Sequence, residues 1–301
     1  MPENLAVARA GDDLVLTIIS TGETLTVKGQ FAFANWYAWW DVERFEFADG
    51  TVWTDRDIAV RLTGGTPGDD TILGTFRSDT LDGGAGDDIL IGGDGADIYI
   101  FGRGYGHDEI REGLSNANLD ENDELRFGPG ITLEDLGFAR DGNDLIITIL
   151  DTAETLTITG QFSYSNWFTW WDVDQFRFDD GTTLSRVDVQ QIVLTPTAGD
   201  DHMIGFMSGD RIDGGAGNDI LEGGDGGDTY VFGRGYGAEE IRETMNNANL
   251  SENDTHEFAS GVSWDNLTFA RNGNSLTIGI EGTPDTVTIN GQWATLNDTS
   301  I

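Results

Sequence analysis

Eight aspartates stand nine residues apart in two runs, Asp70, Asp79, Asp88 and Asp97, then Asp201, Asp210, Asp219 and Asp228. Two residues after each comes one large apolar residue: Ile72, Leu81, Leu90 and Tyr99, then Met203, Ile212, Leu221 and Tyr230. Carboxylates together with the carbonyls of glycine-rich turns make an oxygen-only donor set. The chain has no cysteine, and such a set suits a hard cation. Glycine loses the most backbone freedom on ordering, and clustered aspartates repel one another. The turns are therefore worth forming only if something cationic draws them together. A flexible glycine–aspartate linker would explain the composition but not the apolar residue held at a fixed place.

The elements that must carry these residues are short. Residues 65–73, 74–82, 83–91 and 92–100 share one frame, with aspartate sixth and the apolar residue eighth. The whole pattern recurs after 131 residues. The stretch 81–106 returns at 212–237 with 20 of 26 positions matching, and Gly29-Gln30-Phe31 returns at Gly160 and as Gly291-Gln292-Trp293. The chain therefore opens within a repeat, and its third copy decays, with Asp298 and Ile301 where tryptophans stood before. This suggests a piece of a longer array, or its end. Between the glycine–aspartate blocks the sequence reads as antiparallel β. In LGFARDGNDLIITIL (136–150) an Asp-Gly turn joins two alternating apolar runs, a hairpin signal. VDQFRFDDGTTL carries a second turn at Asp180-Gly181. Leu145, Ile147 and Ile149 should share one face, as should Phe176 and Phe178.

The nonapeptides resemble those of the RTX (repeats-in-toxin) family, GGxGxDxUx with U a large apolar residue. The modules between them resemble the hemolysin-type calcium-binding related domain. The resemblance implies an all-β fold in which parallel β-roll blocks alternate with antiparallel hairpin modules. Each nonapeptide gives six residues of turn and three of strand, and two nonapeptides complete a coil. The flexible cage of six to eight oxygens is calcium's rather than magnesium's. Stacked turns then pair Asp70 with Asp88, Asp79 with Asp97, Asp201 with Asp219 and Asp210 with Asp228. Turn residues at positions one, three and five add candidate oxygens: Gly83, Ala85 and Asp87; Gly92, Asp94 and Ala96; Gly214, Ala216 and Asn218; Gly223, Asp225 and Gly227. Asp108, two residues off the frame, is a candidate to close a further site, and Glu239 is its counterpart. Thr66, Thr75, Thr197 and Phe206 replace glycines of the outer turns, which should weaken the cage there. The expected division is a partial β module at 1–60, a roll at 61–112, a module at 113–192, a roll at 193–243 and a partial module at 244–301.

Fifty-four acidic against 16 basic side chains give a net charge of -38. That field repels nucleic acid and anionic membranes and attracts multivalent cations. No apolar run reaches the ~20 residues of a membrane span, and the N-terminus has neither the basic start nor the apolar core of a secretory signal. Family membership implies export by type I secretion and folding outside a bacterial cell. Trp36, Trp39 and Trp40, and likewise Trp167, Trp170 and Trp171, have the spacing of one helical face. They read as a core cap in preference to a platform for sugar rings. NANLDENDE (116–124) has oxygen side chains at alternate positions, as a calcium loop has, but lacks the sixth-position glycine of an EF-hand loop; it reads as a turn, with a ligand role as the alternative. Nothing points to catalysis: His107, His202 and His256 have Ala238, Thr71 and Leu125 as repeat counterparts, and no nucleophile or zinc motif is present. The expected protein is a non-enzymatic, calcium-stiffened segment of an adhesin, matrix or surface-layer protein, with calcium, neighbouring repeats or surface polysaccharide as partners. The alternatives are an accessory module of a secreted enzyme and a polysaccharide-binding module.

Overall fold

A computed structural model describes residues 2–32, 42–75, 77–112, 122–163, 172–242 and 253–292. The chain forms two compact units, Met1–Val187 and Asp188–Ile301. In the first unit, β1 (Leu5–Ala10), β2 (Asp13–Ile18) and β3 (Thr24–Val27) make an antiparallel sheet. The hairpin of β4 (Arg44–Glu46) and β5 (Val52–Thr54) leads into helix α1 (Asp55–Leu62). Thr54 starts α1 with a reciprocal capping box to Asp57, satisfying amides that the first turn leaves open. Leu14, Leu16, Phe31, Trp53 and Ile58 form the core beneath.

The nonapeptides then wind into two parallel sheets. On one face lie β6 (Thr71–Leu73) and β8 (Ile89–Ile91), and on the other β7 (Thr80–Asp82) and β9 (Ile98–Phe101). Ile72 pairs with Leu90 and Leu81 with Tyr99, so equivalent apolar residues stack one above another. All four are buried. Parallel pairing does not stop at the last nonapeptide. Strand β10 (His107–Arg111) adds beside β8, and β11 (Asp123–Phe127) adds beside β9.

The hairpin module joins the same two sheets. The β12 (Leu136–Asp141) to β13 (Asp144–Ile149) hairpin turns at Gly142, whose φ is 59°. Strand β14 (Thr155–Thr159) follows, and β15 (Val173–Arg177) pairs with β16 (Thr183–Ser185) around Gly181. Strands β14 and β15 run parallel to β10 and β11. The sheet orders are thus β12-β13-β14-β10-β8-β6 and β16-β15-β11-β9-β7. Leu145, Ile147, Ile149, Phe176 and Phe178 all point inward and are buried. A coil that is 18 residues long at β8 grows to 48 at β14 because the hairpin is inserted within it. The N-terminal copy shows the difference a roll strand makes. Leu25 on the edge strand β3 is 58% exposed, while its repeat counterpart Leu156, covered by β10, is 0% exposed.

Helix α2 (Arg186–Val193) spans the boundary between the units. Each of the two helices is eight residues long, too short an apolar period to stand out in the sequence. The second unit repeats the plan. Its first sheet holds β17 (His202–Ile204), β19 (Ile220–Glu222), β21 (Ala238–Ile241), β23 (Leu267–Asn272), β24 (Ser275–Ile280) and β25 (Thr286–Ile289). Its second holds β18 (Arg211–Asp213), β20 (Thr229–Phe232) and β22 (Thr255–Phe258). Met203, Ile212, Leu221 and Tyr230 lie in its core with Ile241, Ile278 and Val287.

Candidate metal centre

Each framed aspartate sits one residue before a three- or four-residue strand, so coil stacking places it beside its equivalent. The Asp70 amide donates to Asp88 Oδ1 at 2.8 Å, and the Asp79 amide donates to Asp97 Oδ1 at 2.8 Å. In the second unit the Asp201 amide donates to Asp219 Oδ1 and the Asp210 amide to Asp228 Oδ1, both at 2.8 Å. Asp108 takes the same place one coil further, with Oδ1 accepting from the Asp88 amide at 3.0 Å. One carboxylate oxygen of each inner residue therefore locks the coils together. The other decides whether an ion is needed.

In the outer coils that second oxygen is satisfied by the chain itself. The Thr66 amide and hydroxyl donate to Asp70 Oδ2 at 2.6 and 2.8 Å, and Thr75 does the same for Asp79 at the same distances. The Thr197 amide donates to Asp201 Oδ2 at 2.8 Å, and the Phe206 amide donates to Asp210 Oδ2 at 2.5 Å. The residues that depart from glycine here thus carry a local cap. In the inner coils no such cap reaches Asp88, Asp97, Asp108 or Asp219. Oδ2 of Asp88, Asp97, Asp108 and Asp219 and both carboxylate oxygens of Glu239 are buried and receive no hydrogen bond. A buried acceptor left this way costs ~1–3 kcal/mol, and more when charged.

Burial, followed by neighbouring carboxylates, pushes these groups toward protonation. Asp97 is raised to about 9, with Asp123, Glu112 and Asp79 adding like charge. Asp108 is raised to about 7 and Glu239 to about 9, chiefly by burial, with Asp88 and Asp219 as their strongest like-charged neighbours. Asp88 and Asp219 are raised for the same first reason. A divalent cation removes both faults at once: it supplies the missing partner and cancels the repulsion. Among the described residues no three acidic or histidine side chains converge to hold an ion by themselves, so main-chain carbonyls must complete any cage.

The turn glycines leave room for this arrangement. A Cβ on Gly92 would lie 2.3 Å from Asp97 Oδ2 and 2.1 Å from the Tyr99 hydroxyl oxygen. A Cβ on Gly83 would lie 2.3 Å from Asp88 Oδ2. The carbonyl oxygens of Gly83, Gly92 and Gly223 pack onto Gly65, Gly74 and Gly205 of the preceding coil. Gly83, Gly92, Gly214, Gly223 and Asp94 are buried, Ala96 and Asp225 are half-buried, and Ala85, Ala216 and Gly227 are exposed. The fifth-position residues build an outer ladder of their own: the Asp87 amide donates to Asp69, the His107 amide to Asp87, and the Asn218 amide to Asp200, at 2.8–3.0 Å.

The structure also brings in residues outside the nonapeptides. Asp123 Oδ1 accepts from the Asp97 amide at 2.7 Å, Asp174 Oδ2 from the Asp123 amide at 3.1 Å, and Asp254 Oδ1 from the Asp228 amide at 3.0 Å. Their signal is an aspartate two residues before an inward-facing residue, as in Asp123-Glu124-Leu125 and Asp174-Gln175-Phe176. Nine-residue spacing alone misses it. Asp123 falls in the NANLDENDE stretch, whose residues 116–121 lie outside the described residues, as do both tryptophan triplets.

This glycine–aspartate architecture is that of a calcium-binding β-roll, and two family models agree. Residues 64–99, 197–221 and 204–237 match the family described as RTX calcium-binding nonapeptide repeat. Residues 13–57 and 144–188 match the haemolysin-type calcium binding protein related domain. The chain thus carries RTX nonapeptide repeats, and calcium is the ion such repeats bind. Iron-regulated protein FrpA of Neisseria meningitidis serogroup C is 30% identical over 116 residues, which is 38% of this chain and 10% of that protein. The chain therefore spans about a tenth of that relative's length. The extracellular lipase LipA of Serratia marcescens has a solved structure that is 19% identical with a TM-score of 0.24. The alignment covers 75% of this chain and 38% of that one. No helix among the described residues is long and apolar enough to cross a membrane.

Proposed function

We propose that this segment is a structural, non-catalytic spacer of a large secreted bacterial surface or matrix protein, folded and stiffened by calcium bound between stacked coils. In this reading Asp88, Asp97 and Asp108, with Asp219, Asp228 and Glu239, supply the carboxylates, and turn carbonyls from residues such as Gly83, Gly92, Gly214 and Gly223 complete the cages. The outer aspartates contribute less, because Thr66, Thr75, Thr197 and the Phe206 amide already cap them. The observation that carries the reading is the set of buried carboxylate oxygens that receive no hydrogen bond, present in the inner coils of both units and absent where a cap exists. In a low-calcium compartment these coils lack their counter-charge and stay open; outside the cell they close.

The histidines support a non-catalytic role. His256 is half-buried and packs against Tyr230 and Phe258, and desolvation lowers its basicity. That is the setting of a packing residue. The decisive experiment is circular dichroism of the full chain during calcium titration and chelator reversal. Calcium should add β signal cooperatively and chelation should remove it. A spectrum unchanged after thorough chelation would overturn the proposal.

A further inference from the structure

We propose that the first unit holds one calcium ion more than its nonapeptides and Asp108 account for, bound between the carboxylates of Asp97 and Asp123. This inference rests on the calcium-folded reading above. Asp123 follows Asp97 by 26 residues and not 18, and it lies outside the residues matched to either family. Strand register nevertheless sets it where the next nonapeptide aspartate would stand. Leu125 pairs with Tyr99 as Tyr99 pairs with Leu81. The Asp97 amide donates to Asp123 Oδ1 at 2.7 Å, the same rung that the Asp79 amide makes to Asp97.

The second observation concerns Asp97 itself. It is 0% exposed, its Oδ2 receives no hydrogen bond, and that oxygen lies against the bare Cα of Gly92. The charges acting on it come from Asp123, Glu112 and Asp79, all of its own sign. Asp123 is 5% exposed, and β15 covers it, with the Asp174 carboxylate accepting its amide. A site closed on both sides by parallel strands and lined by two carboxylates is chemistry for a hard divalent cation. The other face supplies an internal contrast. There the position beside Asp108 is Leu156, so that ladder ends one strand earlier and no equivalent ion is expected.

Bound calcium per full chain, counted by equilibrium dialysis with elemental analysis, tests this. Asp123→Asn keeps an oxygen acceptor for the Asp97 amide, and it removes the charge and replaces the second oxygen by an amide nitrogen that cannot bind calcium. We expect the variant to bind one ion fewer than the wild type at saturation while retaining the calcium-induced β signal. An unchanged count and unchanged affinity would overturn the inference while leaving the calcium-folded reading intact. A wild-type chain that binds no calcium would remove both. If the variant fails to fold, crystals of the wild-type chain with calcium replaced by terbium decide the matter. An anomalous peak within about 2.6 Å of Asp97 Oδ2 and an Asp123 oxygen is expected, and its absence in a map showing peaks at Asp88 would refute the site.

Discussion

Stripped of calcium, the roll should be steadied by acid. Asp97 and Asp108 rise in the folded chain from the ordinary aspartate value of 3.8 to about 9 and about 7. A group raised on folding contributes stability that is complete below its unfolded value and is lost as pH climbs through its folded value. The window for Asp108 therefore runs from about pH 4 to about pH 7, and for Asp97 to about pH 9. Within its window each group removes ~1.4 kcal/mol of stability per pH unit. Between about pH 5 and about pH 7 the pair would nominally cost ~5 kcal/mol. Water entry and local relaxation reduce such penalties, so we expect ~2–3 kcal/mol, still a large share of the ~5–15 kcal/mol that holds a typical domain together. The assay is far-ultraviolet circular dichroism with urea denaturation of the calcium-stripped chain across this range. Saturating calcium should reverse the sign of the dependence, because protons and the ion compete for the same oxygens. If the stripped chain gains stability as pH rises from 5 to 7, the assignment of these carboxylates as unpaired and ion-seeking is refuted.

Asp88→Asn keeps the 2.8 Å acceptor for the Asp70 amide but removes a ligand charge; it should weaken calcium binding roughly tenfold or more, read by calorimetric titration. Thr75→Ala removes the hydroxyl cap on Asp79 and should cost ~1 kcal/mol in urea denaturation with no change in the number of bound ions. Gly92→Ala places a methyl 2.3 Å from Asp97 Oδ2; it should cost ~1–3 kcal/mol and lower the melting temperature even in saturating calcium. Leu90→Ala empties a fully buried stacking position and should cost ~2–5 kcal/mol, with cooperativity of the calcium transition reduced.

What the sequence disclosed depended on how local each feature is. The nonapeptide frame is a strictly local code, so the stacking of Ile72 on Leu90 and Leu81 on Tyr99 could be read from spacing. The hairpin at Gly142 is local as well, and alternation placed Leu145, Ile147 and Ile149 on the buried face. The pairing of β11 with β9, and of β15 with β11, was not legible, because 26- and 51-residue intervals carry no period. The ladder places of Asp123 and Asp174 are hidden in the sequence for the same reason. The threonines of the outer turns were legible as departures from glycine, but their consequence was not. A hydroxyl four residues before an aspartate becomes a cap only once the turn folds it back.

The shared sheets give assembly a direction. Strands β12, β13 and β14 meet through short connections, and their contacts involve no nonapeptide turn, so they can form early and without metal. Once formed, Thr155–Thr159 presents a row of open amides and carbonyls onto which β10 can dock, followed by β8 and then β6. The downstream hairpin thus offers a metal-free template on which the coils can be laid down toward the N-terminus.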